Sequence, residues 1–103
     1  MAKINWTVTY QGAGPQPIAE LFDLSNNLVQ STQVFCVPPI ACPFPMDNIQ
    51  FGSYKAAISS GSSRYYYIQG QDVITAPNDP SVATVITLNQ QNSVEQVKIR
   101  VQV

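Results

Sequence analysis

Strict alternation of apolar and polar residues at both ends of the chain is the feature that most limits its fold. Near the start, in KINWTVTYQ, the apolar residues Ile4, Trp6, Val8 and Tyr10 alternate with polar ones. Because successive side chains of a β-strand point to opposite faces, this pattern predicts a half-buried strand with these four residues in the core. The last segment, SVEQVKIRVQV, alternates in the same way and predicts a second strand of this kind.

Short segments with high β-propensity fill the sequence between these two strands. IAELFDL and LVQSTQVFCV lie on either side of Ser-Asn-Asn and predict a hairpin, since Asn tolerates a left-handed backbone. Further strands are predicted at NIQFGSYKAAIS, YYYIQG, QDVITAP and VATVITL, with turns at SGSSR, NDPS and NQQN. No segment has helical periodicity. Seven to eight strands therefore predict an all-β fold, a single β-sandwich domain over residues 1–103.

Residues 38–47, PPIACPFPMD, contain four prolines in ten positions. Proline has no backbone N–H to donate, so we expect this segment to be a Pro-rich loop rather than a strand. Ile40, Phe44 and Met46 are its apolar members, and a surface loop seldom hides all of its side chains. We therefore expect these three residues to contact a protein partner. The alternative is that the loop folds back and closes one end of the sandwich.

One part of the sequence resembles a known group of domains. The Gly52-x-Tyr54 step that leads into an alternating strand, and the hairpin AELFDLSNNLVQST before it, resemble immunoglobulin-like and prealbumin-like sandwich modules, as found in phage virion accessory proteins. The resemblance implies an antiparallel β-sandwich. Such folds serve as spacers, adhesion modules and accessory domains, so the resemblance implies no particular activity.

Composition excludes several functional classes. Charged residues make up 11% of the chain and the net charge is -1, so a strongly basic surface for nucleic acid or anionic membranes is not expected. There is no histidine, which excludes the Ser-His-Asp and Cys-His catalytic sets and histidine-dependent zinc sites. The sequence also lacks a Gly-rich phosphate-binding loop. We expect neither enzymatic activity nor a cofactor or metal.

Cys36 and Cys42 are the two cysteines, and they lie on either side of VPPIA. One interpretation is a disulfide that closes this short segment, and a second is a redox switch. The third is a pair of separate reduced thiols, which is the usual state in a cytoplasm. The residues themselves leave these three interpretations open.

Three consecutive tyrosines, Tyr65, Tyr66 and Tyr67, suggest a glycan-binding site because aromatic rings stack on sugars. Alternation places Tyr65 and Tyr67 on one face of a strand and Tyr66 on the other. The competing interpretation, which we favour, is that one face is core and the other holds a cross-strand aromatic pair. Lys98 and Arg100 would form a small basic face with Lys3 if the terminal strands lie side by side; the alternative is that they are solvated, edge-protecting residues.

These observations favour a structural or interaction protein. An N-terminus without a visible signal peptide, few charges and many amides and hydroxyls are typical of a virion component, such as a phage capsid decoration, head-fibre or tail accessory protein. Its expected partners are other protein subunits, copies of itself included, and we expect neither nucleic acid nor membrane. The expected location is the virion, with another extracellular assembly as the alternative. A small carbohydrate-binding, lectin-like or adhesion module is the alternative function.

Overall fold

The computed structural model describes residues 1–36 and 40–103. It contains eight strands and one turn of 3-10 helix, Pro80–Val82, and the all-β prediction is confirmed. The strands are β1 (Ala2–Gln11), β2 (Ile18–Asp23), β3 (Leu28–Gln33), β4 (Cys42–Ile49), β5 (Gly52–Ser60), β6 (Ser63–Tyr66), β7 (Ile86–Leu88) and β8 (Val94–Gln102). In the part of the chain described, no helix has the length and apolar character needed to span a membrane.

The strands form two sheets that enclose one main core. Sheet A has the order β4-β1-β8, and sheet B has the order β3-β2-β5-β6, with β7 paired to the start of β5. The core contains Trp6 and Val8 from sheet A together with Leu21 and Ile58 from sheet B. Burial of an aliphatic side chain of this size is worth about 1.5–3 kcal/mol, so this shared layer holds the sheets face to face. The arrangement is that of a β-sandwich.

The alternating segments have the predicted orientation. Ile4, Trp6, Val8 and Tyr10 of β1 are all buried, and so are Val97, Ile99 and Val101 of β8. On β5, Tyr54, Ala56 and Ile58 face the main core, whereas Ala57 packs with Phe22 and Tyr66 on the other face of sheet B. Period-two alternation therefore indicates which side of β1, β5 and β8 is buried.

The sandwich is not wholly antiparallel, which corrects one prediction. The first and last strands run parallel, with Thr7 opposite Lys98 and Thr9 opposite Arg100. Parallel neighbours need a long connection, and nearly the whole domain lies between β1 and β8. All the other pairings between the described strands are antiparallel.

The prediction of a loop at 38–47 is wrong over residues 42–47, which belong to strand β4. Residues 38 and 39 of that prediction lie outside the described residues. Among the described strands, β4 pairs with β1 alone and is therefore an edge strand. Its Pro43 and Pro45 are two positions apart. Their nitrogens therefore face the same side, and proline is tolerated in a strand when that side is the free edge.

The predicted hairpin between β2 and β3 is present. Asn26 has a positive φ of 63° in its turn, as expected for an Asn at a tight turn. The Asp23 carboxylate accepts hydrogen bonds from the backbone N–H groups of Ser25 and Asn27, each at 2.9 Å. The hydrogen bond from the Asn27 backbone is the main cause that holds the pKa of Asp23 below its ordinary value.

The segments between β5 and β8 are less regular than the sequence predicts. β6 ends at Tyr66, so most of YYYIQG is not strand, and QDVITAP contributes only a bridge between Ile74 and Val101. In VATVITL the strand is limited to β7, and Val82 and Val85 are each 50% exposed. Part of this segment crosses the outer face of sheet B, where the Pro80 carbonyl accepts a hydrogen bond from Lys55 Nζ at 2.8 Å. Residues that cross a sheet cannot also extend its strands, so β-propensity alone predicts too many strand residues here.

Candidate functional site

A disulfide joins Cys36 and Cys42, with their Cα atoms 5.4 Å apart. Cys42 is the first residue of β4 and is buried in the core, and the half-buried Cys36 follows the end of β3. The bond therefore links the end of a sheet B strand to the start of a sheet A strand. We call Phe35, Cys36 and residues 40–42 the disulfide segment.

The disulfide segment carries two highly exposed apolar side chains. Phe35 is 72% exposed and Ile40 is 66% exposed. Single exposed apolar side chains are common on protein surfaces, and it is their occurrence together on one short segment that makes these two a candidate contact surface. Phe35 was not among the predicted contact residues. The alternation of side chains along an extended chain indicates its exposure: Val34 is buried, so its neighbour Phe35 points away from the core.

The other predicted contact residues lie deeper. Phe44 is half-buried and stacks on Trp6, with ring centroids 6.0 Å apart and the planes 9° from parallel. Met46 is 1% exposed and belongs to the main core. Both occupy inward positions of β4, next to Trp6 and Ile4 of β1. Of the three predicted contact residues, Ile40 is freely accessible, Phe44 partly accessible and Met46 inaccessible in the folded chain.

The tyrosines do not form a common platform. Tyr65 is buried in the main core and packs edge-on against Tyr10, with centroids 6.3 Å apart. Tyr66 is buried on the opposite face of sheet B, 5.9 Å from Phe22. Only Tyr67 is partly exposed. Tyr65 thus lies in the core, whereas the contact of Tyr66 with Phe22 reaches across β5 and does not join neighbouring strands.

A cleft of about 660 Å³ lies between strands β1 and β8 of sheet A and the segment of residues 67–72, which includes Tyr67. Its polar walls include Thr9, Lys98, Arg100 and Asp72. Burial, and secondarily the nearby Glu95 carboxylate, raises the pKa of the Tyr67 hydroxyl above its ordinary value. Because β1 and β8 are neighbours, Lys98 and Arg100 lie on the same outer face of sheet A as Lys3, and Lys3 lies outside the cleft.

Several carboxylates have structural partners. Glu20 accepts hydrogen bonds from Ser59 Oγ and from Arg64 Nε, the latter at 3.3 Å. Asp79 caps the 3-10 helix by accepting from both the hydroxyl and the N–H of Ser81, and the hydroxyl bond is the main cause that lowers the pKa of Asp79. Among the described residues, no group of three or more Cys, Asp or Glu side chains is placed to hold a metal ion.

The arrangement offers two features for function: an apolar, disulfide-closed surface segment and a polar cleft beside one tyrosine. Comparison of the chain with protein-family models, with curated proteins and with solved structures found no match in any of the three.

Proposed function

We propose that this protein is a non-enzymatic structural or interaction protein that docks onto other protein subunits of a large assembly, with a virion as the best candidate. The observation that carries the proposal is the exposure of Phe35 and Ile40, which are 72% and 66% exposed and both belong to the disulfide segment. Large apolar side chains at the centre of an interface supply most of its binding energy.

The disulfide supports this role physically. It restricts the segment that carries Ile40 before any partner arrives, so less conformational entropy is lost on docking. Its two ends are also held by the sandwich, through the end of β3 and the buried Cys42 on β4. Phe35 and Ile40 thus lie next to or near cysteines that the sandwich holds in place.

The low charge of the chain suits a wet, hydrogen-bonded interface around these apolar residues. Only 11% of its residues are charged, and amides and hydroxyls are abundant on the exposed faces of β1 and β8, for example Asn5, Thr7, Gln96 and Gln102. Protein interfaces place polar rims of this kind around an apolar centre.

The test of this proposal is the composition of purified particles from the source of the gene. If the proposal is right, genes for capsid, portal or tail proteins lie beside this one, and the chain is present in intact particles in a fixed ratio to the major subunit. Absence of the chain from such particles, or turnover of a substrate by the purified protein, would contradict it.

Carbohydrate binding is the second candidate, and Tyr67 favours it. This ring is partly exposed and lines the polar cleft together with hydroxyl, amide and charged groups. Sugar rings stack on aromatic faces and hydrogen-bond to such groups. A glycan array probed with the wild-type protein and with Tyr67→Ala tests this candidate. Retention of any glycan signal in the variant would contradict a site at Tyr67.

A further inference from the structure

The edges of the two sheets differ in how they are protected. An edge strand leaves alternate backbone N–H and C=O groups unpaired, and these groups can pair with a strand from another chain. Each sheet has two edges: β4 and β8 in sheet A, and β3 and the side shared by β6 and β7 in sheet B. A strand from another chain can add to a sheet only at an edge whose backbone groups are free.

In sheet A, two prolines obstruct β4, and Ile74 covers the last part of β8. On β4, Pro43 and Pro45 remove backbone donors from the free side. On β8, the N–H of Ile74 donates to the Arg100 carbonyl at 2.8 Å, and the N–H of Gln102 donates to the Ile74 carbonyl at 3.0 Å. Ile74 thus occupies the place of a neighbouring strand over the last part of β8.

The side of sheet B formed by β6 and β7 is covered by asparagine side chains. Asn78 hydrogen-bonds to both the N–H and the C=O of Tyr66 on β6. On β7, Asn92 Nδ2 donates to the carbonyl of Thr87 at 2.9 Å. At these positions, side-chain amides form the hydrogen bonds that the backbone groups of β6 and β7 could otherwise form with another strand.

The edge formed by β3 has no such protection in the described part of the chain. β3 pairs with β2 alone, and its free side accepts no hydrogen bond from another described residue. Its sequence, LVQSTQ, contains neither proline nor a charged residue. Leu28 and Val29 are 53% and 46% exposed at its start. The register with β2 shifts at a bulge beside Val29, so the free edge is regular over residues 30–33. Over these residues the edge lacks the proline, the charged residues and the side-chain cover that usually prevent strand addition.

We propose that the free edge of β3 pairs antiparallel with β3 of a second copy of this chain. Only another extended strand offers the alternating donors and acceptors that this edge requires. A two-fold axis brings each strand against itself, so a charged strand would repel its copy, whereas β3 is neutral throughout. The pair joins the two copies of sheet B into one continuous sheet.

This inference goes beyond docking through the disulfide segment, because it uses a different surface and a different partner. The two proposals therefore fail independently. A chain that stays monomeric can still bind particles through Phe35 and Ile40, and a chain that dimerises through β3 can still lack any particle partner.

Sedimentation of the full chain over a range of concentrations tests the proposal. We expect a reversible monomer–dimer equilibrium. Ser31→Lys, which places a lysine near the middle of the paired edge, should raise the dimer dissociation constant by about tenfold or more. Ser31→Thr keeps the edge neutral, and Gln96→Lys adds the same charge to an exposed position of β8. Both controls should dimerise like the wild type.

Hydrogen exchange of the wild-type chain provides a measurement that needs no variant. At high protein concentration, amides within residues 28–33 should exchange more slowly than at low concentration, with exchange in β1 unchanged. A monomer at all concentrations overturns the proposal. So does a dimer that forms equally well with Ser31→Lys, or a dimer without concentration-dependent protection in β3.

Discussion

The side-chain amide of Asn78 forms with Tyr66 both hydrogen bonds that a neighbouring strand would form. The backbone N–H of Tyr66 donates to Asn78 Oδ1 at 2.6 Å, and Asn78 Nδ2 donates to the Tyr66 carbonyl at 3.2 Å. The N–H of Asn78 also donates to the Arg64 carbonyl at 3.2 Å. One residue in an irregular segment thus completes the edge of β6.

Replacement of Asn78 by alanine should therefore destabilise the fold. Asn78→Ala leaves two backbone groups of β6 without partners, and we expect the free energy of unfolding to fall by about 1–3 kcal/mol. Urea unfolding followed by Trp6 fluorescence measures this, because Trp6 is the single tryptophan and is 1% exposed. Gln90→Ala, at an exposed turn position, is the control and should change stability little. Equal stability of the two variants would contradict a structural role for Asn78.

The disulfide between Cys36 and Cys42 should stabilise the folded chain modestly. Closing so short a segment restricts the unfolded chain by about 2 kcal/mol. We expect the Cys36→Ser, Cys42→Ser double variant to lose about this amount in urea unfolding and to keep its β-sheet circular dichroism. A reducing agent should destabilise the wild type equally and leave the double variant unchanged. If reduction has no effect on the wild type, the bond is not part of the native fold.

Glu20 should contribute more to the stability of the fold than its place on an outer face suggests. Its side chain is 12% exposed and is bonded to Arg64 and Ser59, while the Arg64 guanidinium lies 4.8 Å from the centroid of the Phe22 ring. Loss of the carboxylate leaves these donors without their acceptor, at a cost of about 2 kcal/mol for Glu20→Ala. Glu20→Gln keeps an acceptor oxygen and should cost less. Urea unfolding measures how much free energy of unfolding each variant loses. Equal losses for Glu20→Ala and Glu20→Gln would contradict a stabilising role of these hydrogen bonds.

Asp23 should make stability depend on pH in the acid range. Its pKa in the folded chain is lower than its ordinary value of 3.8, so its contribution is complete above that value. The contribution is lost as the pH falls through the lower, folded-state pKa. Asp23→Asn does not titrate. The stability gap between wild type and this variant should therefore be widest near neutral pH and shrink below pH 3.8. A gap that stays constant in acid would contradict the role of the Asn27 hydrogen bond.

The sequence predicted most of the sandwich because the strongest signals were local. Alternation placed Trp6 and Ile99 in the core, and the Asn-rich turn gave the β2–β3 hairpin. Proline content alone does not reveal β4, because the effect of a proline on a strand depends on its position in the sheet. Pro43 and Pro45 exclude a central strand but are compatible with an edge, and whether a strand lies at an edge depends on the whole topology.

Long-range pairing was the part that sequence reasoning could not supply. Nothing local in residues 94–102 indicates that β8 lies parallel to β1, since the partner is almost a full chain length away. The same limit applies to the candidate site. Ile40 is accessible, as a partner contact requires, whereas Met46 has the phase of a core residue only once β4 is known to be a strand.

Binding of the purified chain to intact assembly particles tests the central claim most directly. The measurement compares the wild type with the Phe35→Ser, Ile40→Ser double variant, and the Leu24→Ser, Val85→Ser variant removes two exposed apolar side chains from other places. We predict that the first variant binds about 30-fold more weakly or worse, as expected for loss of central apolar contacts, and that the second binds like the wild type. Full binding by the Phe35→Ser, Ile40→Ser variant would contradict docking through the disulfide segment.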